Sequence, residues 1–265
     1  MLGIMGAEVV ATGFLGRAAS LFIQDQLHKR NVTTNFVHIN NVTRHNYFII
    51  DEFTDTRTLL DEEGPIIEPD ELDFFLDNFQ RMIKRVKLLI IAGSIPRGVE
   101  NNIYCRLIEI ANEYGVRSII NTQEHNLVGC LSKNPYIVMP DTRDSDSIFG
   151  QKIDPLLDRK TAACKILGQR KGASVLTFDY ENYLLFSPEG CWEVISPPAE
   201  IRSKLKTGDG MIAGMAYSLV NNPSLLEAAK WGVALSTAAS CYRCRFIESK
   251  EEVVSFYEKV IVKSV

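Results

Sequence analysis

No apolar run in this 265-residue chain is long enough to cross a bilayer, which sets aside a membrane-embedded function. Excess positive charge is missing as well. The formal net charge is −4 and the isoelectric point is near 5.7, so the chain lacks the basic footprint of a nucleic-acid binder. Histidine is scarce and dispersed, at His28, His38, His45 and His125. The six cysteines (Cys105, Cys130, Cys164, Cys191, Cys241, Cys244) are scattered. The one CxxC, Cys241-Tyr242-Arg243-Cys244, has neither a second pair nor a nearby histidine, which argues against zinc. Scattered thiols of this kind fit a reduced, cytoplasmic protein. The N-terminus carries no basic residue before Arg17, and Glu8 interrupts its apolar run, so it does not read as a signal peptide. Internal repeats, low-complexity tracts and long linkers are absent too. What is present is hydrophobic residue content, 46%, enough for a full core.

The pattern of that content predicts alternating strands and helices. Residues 8–15, rich in Val and Thr, read as a strand, and 17–29 carry apolar residues at helical spacing. Three short extended runs follow, 34–39, 47–50 and 57–60, separated by polar turns; they suggest a small antiparallel sheet standing apart from the main core, formed mainly by residues 33–62. From Pro65 the rhythm becomes helix, strand, helix, strand. The amphipathic segment 71–86 has Leu72, Phe75, Leu76, Phe79 and Ile83 on one face. Residues 88–92 form a continuous apolar run of the kind buried in a parallel sheet. Strands are expected at 116–121, 136–139 and 174–178, and helices at 102–114, 127–131 and 158–168. A hairpin is expected at 183–186 and 192–195, then two helical stretches after Asp209 and a last helix at 251–260. This alternation predicts one α/β domain with a mainly parallel sheet covered by helices on both faces.

In such sheets ligands sit beyond the carboxyl ends of the strands. The loops found there are Gly93-Ser94-Ile95-Pro96-Arg97-Gly98, 121–124, 140–144, 177–182 and 206–209. The last runs directly into an apolar helix. A helix start leaves backbone N–H groups without intrahelical partners, and with the helix dipole these favour an anion. Asp209 stands at that point, where a carboxylate could take a proton from a hydroxyl while a phosphoryl group is held. The alternative reading is that Asp209 or Thr207 only caps the helix.

The order of these motifs resembles the ribokinase-like (PfkB) sugar kinases, within them the 1-phosphofructokinase and tagatose-6-phosphate kinase group. Ala11-Thr12-Gly13-Phe14-Leu15-Gly16 looks like the family's early strand and turn. Thr43-Arg44-His45-Asn46 matches a TRxN motif in its lid, and 60–65 and 92–99 resemble "NEPGP" and "SGSLPPGV". Residues 136–144 sit at "LIKPNxxE", and Lys206-Thr207-Gly208-Asp209 sits at the signature GAGD. The resemblance runs along nearly the whole chain. It implies a three-layer αβα fold with a small β lid and ATP- and Mg2+-dependent phosphorylation of a hexose phosphate, either fructose 1-phosphate or tagatose or fructose 6-phosphate. It assigns Asp209 as base, with Lys206, Thr207 and Gly208 in the anion hole. Arg44, Asn46, Gly93 and Ser94 fall to the sugar phosphate, with Arg44 on its phosphate; Asp141, Asp144 and Thr177 fall to the nucleotide and its magnesium. No direct metal ligand is implied.

Each assignment has a plainer counterpart. Arg44 reads also as a solvated arginine on a lid strand, Asp141 and Asp144 as an N-cap with an acidic first turn, and Thr177 as an ordinary strand end. The chain also departs from the family pattern. The family's first strand, its early aspartate and its GGKG motif would precede Met1. Lys206 replaces the first glycine of GAGD, Met139 replaces the lysine of "KPN", and Asn121 stands where an aspartate is common. Residues 177–182 lack both glycines of "SLGADG". The second expectation is therefore a catalytically impaired or truncated relative that binds sugar phosphate, nucleotide or a partner without turnover. A lid of short strands leaves open edges, which suggests a homodimer paired through the lid.

Overall fold

The structure is a computed structural model covering residues 1–265. It describes all of them except 52, 54–55, 141–146, 149–150, 153–155, 178–180, 204–206 and 244–246; at 57, 124, 147–148, 151–152 and 156–158 it describes the backbone alone. The chain divides into a smaller unit, Val9–Arg81 with Ile95–Glu100, and a larger one, Met1–Glu8, Met82–Ser94 and Asn101–Val265.

The smaller unit begins with β1 (Val9–Gly16), α1 (Arg17–His28) and β2 (Val32–Ile39). β1 and β2 pair in parallel, Val9 opposite Val32 and Gly16 opposite Ile39. This corrects the expectation that 34–39 joins the antiparallel runs after it. A 12-residue helix carries the chain back to the start of β1, so the next strand must run the same way. Only β3 (Asn46–Asp51) and β4 (Thr56–Asp61) form the antiparallel hairpin. α2 (Pro69–Ile83) then lays Phe75, Leu76 and Phe79 into the core, with Phe14 and Phe75 rings 5.0 Å apart. Its start is held by Glu71, whose carboxylate accepts from Glu68 N–H and from Asn40 N–H, both at 3.0 Å. That closes the first turn of α2 and pins it to the end of β2.

The larger unit holds β5 (Leu88–Ala92), α3 (Ile103–Glu113), β6 (Arg117–Thr122), α4 (Glu124–Leu131), β7 (Ile137–Pro140), a two-residue pair β8 (Ser147–Ile148) and β9 (Gln151–Lys152), α5 (Leu156–Leu167), β10 (Ala173–Thr177), β11 (Asn182–Ser187), β12 (Gly190–Ile195), α6 (Thr207–Leu219), α7 (Leu225–Ser240), α8 (Lys250–Tyr257) and β13 (Ile261–Ser264). Its seven-stranded sheet has the order β13-β12-β11-β10-β7-β6-β5. The four strands β5, β6, β7 and β10 are parallel; β11, β12 and β13 add an antiparallel edge. β13 carries no signal in the sequence, because its four residues run on from the α8 pattern without a turn residue.

Strand alternation sorts the two faces. Ile119, Ile137, Met139, Ala173, Val175, Tyr183, Leu185 and Val194 join one buried cluster with Met211, Met215 and Leu219 of α6 and Leu225 and Val233 of α7. Ser174, on the other face, donates to the Ala163 carbonyl of α5 at 2.7 Å. α3, α4 and α5 cover that second face. Among the described residues no helix is long and apolar enough to cross a membrane.

Candidate active site

α6 is buried along almost its whole length, so its first turn is positioned by packing rather than by its own propensity. Gly210 and Gly214 lie on the side facing α7. A Cβ at Gly210 would sit 2.7 Å from Ser236 Cα, and one at Gly214 would sit 2.2 Å from the Trp231 carbonyl oxygen. Across the contact, a Cβ at Gly232 would meet Met211 Sδ at 2.5 Å. At Gly210 and Gly214 the two helix backbones therefore touch with no side chain between them. α7 is tied to the sheet in turn: the Tyr183 hydroxyl and Ser236 Oγ are hydrogen-bonded at 2.7 Å, both fully buried.

That scaffold presents Thr207 buried, Gly208 half-buried and Asp209 exposed at the helix start. A Cβ at Gly208 would lie 3.9 Å from Met139 Cε, which puts this turn at the carboxyl end of β7. The neighbouring strand ends are bonded to one another. Asn121 Nδ2 donates to the Met139 carbonyl at 2.9 Å. Thr122 Oγ1 and the Tyr104 hydroxyl both donate to the Gly93 carbonyl, at 3.0 and 3.2 Å. Gly93 has φ +93°, a left-handed value that L side chains rarely adopt, and beyond its chain neighbours nothing lies within 4 Å of where a Cβ would be. Its carbonyl is thus turned inward and locked, and its Cα faces open space. Burial raises the Tyr104 phenol to about 12, with the nearby Cys130 thiol a lesser cause.

Within the larger unit the structure puts Gly93, Ser94, Thr177, Thr207, Gly208 and Asp209 at the carboxyl-end side of the parallel strands. Thr177 ends β10 and is buried, on the strand side that faces α6. Lys206, Asp141 and Asp144 lie outside the described residues. Among the described residues no three His, Cys, Asp or Glu side chains group into a metal site.

Arg44 and Asn46 belong to the smaller unit. The turn that carries them is fixed at both ends. Gly16 N–H donates to Thr43 Oγ1 at 2.8 Å, and a Cβ at Gly16 would collide with Thr43 N at 2.5 Å. His45 N–H donates to Glu62 Oε2 at 2.9 Å. Arg44 is exposed and runs past Gly64, where a Cβ would lie 3.7 Å from its Cδ and 3.9 Å from Nη1. Asn46 opens β3 opposite Asp61.

Sequence reasoning missed Tyr104, Thr122, Tyr183, Ser236, Glu71 and the glycine contact of α6 with α7. The Gly210-x-x-x-Gly214 spacing was a usable signal for that contact. A lone hydroxyl bonded to a distant carbonyl leaves no pattern in the chain. The assembled edge offers a carboxylate beside backbone donors at a helix start, next to a glycine turn with open space. This arrangement suits proton removal from a hydroxyl next to a bound phosphoryl group.

Comparison with known proteins places the chain among carbohydrate kinases. The profile of the pfkB family of carbohydrate kinases matches residues 1–244. A tagatose-6-phosphate kinase from Staphylococcus epidermidis is 24% identical over 233 residues, covering 87% of this chain and 74% of that protein. A solved structure of a possible 1-phosphofructokinase from Thermotoga maritima has TM-score 0.91 and 29% identity, over 100% of this chain and 84% of that one. The tetrameric inhibited form of phosphofructokinase-2 from Escherichia coli has TM-score 0.83 and 24% identity, over 97% and 83%, and speaks to the fold alone.

Proposed function

The chain belongs to the pfkB family of carbohydrate kinases, with its ribokinase-like α/β fold, and on that premise we propose that it transfers a phosphoryl group from ATP to a hydroxyl of a hexose phosphate. The candidate acceptors are fructose 1-phosphate, fructose 6-phosphate and tagatose 6-phosphate, in keeping with the activities named for its relatives. The observation that carries this reading is the exposed Asp209 in the first turn of a helix clamped from behind by α7.

In the proposal Asp209 takes the proton of the attacking hydroxyl. The backbone N–H groups of Lys206, Thr207 and Gly208 hold the transferring group, as donors at a helix start suit an anion. Arg44 grips the sugar's phosphate through its guanidinium fork, and Asn46, Gly93 and Ser94 orient the sugar. The donor set at the α6 start fits the phosphate chain of a nucleotide, and the open space before Gly93 leaves room for the sugar. ATP with Mg2+, when bound, would supply the electrophilic phosphoryl group with part of its charge neutralised. Asp141, Asp144 and Thr177 are the side chains assigned to that end. The β3–β4 hairpin exposes Tyr47, Phe48, Ile49, Ile50, Leu59 and Leu60, which supports its role as a lid that pairs with a second copy in a homodimer. Cytoplasmic residence fits the free thiols at all five described cysteines.

The test is ATP consumption with each of the three sugar phosphates, in wild type and Asp209→Asn. We expect turnover with at least one, and a fall in kcat of roughly 10²–10⁴-fold in the variant with KM little changed. Equal turnover in Asp209→Asn removes the proposed base. Lys206 in place of the family glycine favours a second reading, a relative that binds without turnover. Saturable binding of sugar phosphate and Mg-ATP with no product from wild type would select it.

A further inference from the structure

A second arginine borders the Glu63–Gly64 step that Arg44 runs past. Arg97 lies in the 95–100 segment of the smaller unit, and its backbone is pinned beside residues 66–67. Ile67 N–H donates to the Arg97 carbonyl at 2.8 Å, and Ile66 and Arg97 form a parallel bridge. Gly98 has φ +81°, and a Cβ there would lie 2.3 Å from the Ile67 carbonyl oxygen, so the two backbone stretches are in contact. From that fixed point the Arg97 guanidinium reaches Glu63 and pairs with its carboxylate. The next residue is Gly64, where the missing side chain leaves room for Arg44. Two guanidinium groups thus meet one two-residue step, one through Glu63 and one through Gly64. The adjacent carboxylate, Glu62, is committed elsewhere, to the backbone N–H of His45.

The Arg97–Glu63 pair does little for stability. Its side chains are 51% and 84% exposed, and solvent screening leaves an ion pair in that setting little net effect. The backbone contacts of Ile66, Ile67 and Gly98 already hold the segment. What the pair does provide is a cation parked on an exposed carboxylate next to the arginine assigned to the sugar's phosphate.

We propose that Arg97 is a second binding residue for the phosphate of the sugar-phosphate substrate, and that Glu63 is the counter-ion this phosphate displaces. The proposal rests on the sugar-phosphate reading above and extends it. A phosphate dianion offers three acceptor oxygens and more charge than a carboxylate, so it competes well for a guanidinium fork. With Glu63 displaced, Arg44 and Arg97 grip the phosphate from the two sides of the Glu63–Gly64 step.

The sign of two substitutions separates this role from a structural one. If the ion pair only braces the loop, Arg97→Ala and Glu63→Gln break the same bond and shift affinity the same way. If Glu63 competes with substrate, the shifts are opposite. Titration calorimetry of wild type, Arg97→Ala, Arg97→Lys and Glu63→Gln with fructose 1-phosphate, fructose 6-phosphate and tagatose 6-phosphate reads this, with Mg-ATP affinity as the control for an intact fold. We expect Arg97→Ala to weaken sugar-phosphate binding about tenfold or more, Arg97→Lys to recover part of it, and Glu63→Gln to tighten it. Shifts of the same sign, or an Arg97→Ala affinity equal to wild type, overturn the proposal and leave the kinase reading standing. A wild type that binds none of the three sugars overturns the kinase reading itself, and this proposal with it.

Discussion

Adding one methyl group at Gly214 should unsettle the helix start that carries Asp209, and the structure says by how much. A Cβ there would lie 2.2 Å from Trp231 O, 2.5 Å from Trp231 C and 2.6 Å from Gly232 Cα, all backbone atoms of α7. Ordinary contact begins at 3.4 Å, so the helices must part by about 1.2 Å at that point. No side chain can rotate away, so the strain cannot be relieved locally. Intrinsic helix propensity opposes this by favouring Ala over Gly by about 1 kcal/mol. Overpacking against a backbone that cannot yield costs about 3 kcal/mol or more, so the clash wins. The net loss of about 2 kcal/mol is, for a chain of this size, a fall in Tm of roughly 4–8 °C. Gly208→Ala is the internal control: its Cβ would only reach Met139 Cε at 3.9 Å, and its Tm should match wild type or exceed it slightly. Gly210→Ala, with contacts of 2.7–3.0 Å, should fall between. Differential scanning calorimetry of the three variants is the assay. A Tm for Gly214→Ala at or above that of Gly208→Ala refutes the argument that backbone contact at the α6–α7 crossing sets the position of the Asp209 turn.

Three further outcomes follow from buried polar groups. Ser118 Oγ is fully buried with no hydrogen-bond partner, so Ser118→Ala should gain about 1 kcal/mol in urea denaturation. Tyr183→Phe strands Ser236 Oγ and should cost about 1–3 kcal/mol, part of which returns in the Tyr183→Phe, Ser236→Ala double variant, as a double-mutant cycle will read. The Tyr104 phenol is raised from the usual 10 to about 12, chiefly by burial. Between those pH values the folded chain keeps a proton that the unfolded chain has lost, so stability is full below pH 10 and declines as pH rises toward 12. Unfolding midpoints across that window should fall less steeply in Tyr104→Phe than in wild type.

Much of this fold is written in local periodicity. The α2 face of Phe75, Leu76 and Phe79, the buried run of β5 and the hairpin of β11 and β12 all follow from spacing that a single chain displays. Pairing is different. Residues 34–39 look the same whether they join β1 or β3; the parallel choice comes from α1 returning the chain, and short extended runs do not carry that information. The helix start at Thr207 was legible because a polar turn meets an apolar stretch there. Its clamp was only half legible: Gly210 and Gly214 are visible as a spaced pair, but Ser236 and Trp231, which they respectively touch, are found only through the tertiary contact. Glu63 and Arg97 stand 34 residues apart, and no local pattern pairs them. That the two meet, on either side of Gly64 and Arg44, needs the backbone contact of 66–67 with 97–98.

This difference bears on how Asp209 should be regarded. A carboxylate in a first helical turn is common, and on sequence alone a cap explains it. The structure adds a helix that cannot shift, because Gly210, the residue directly after the carboxylate, is pressed onto the backbone of Ser236. Ser236 is itself bonded to Tyr183 in the sheet. Asp209 is therefore exposed to solvent yet backed by fully buried backbone. A helix cap needs no such support, since it serves a flexible turn as well as a rigid one. A general base does need it, because an error of about 1 Å in the reacting geometry can cost about 10²-fold in rate. If Asp209 is the base, Gly210→Ala should lower kcat by more than its loss of stability explains, at temperatures where the variant remains fully folded. If Asp209 is only a cap, the folded Gly210→Ala variant should turn over as wild type does.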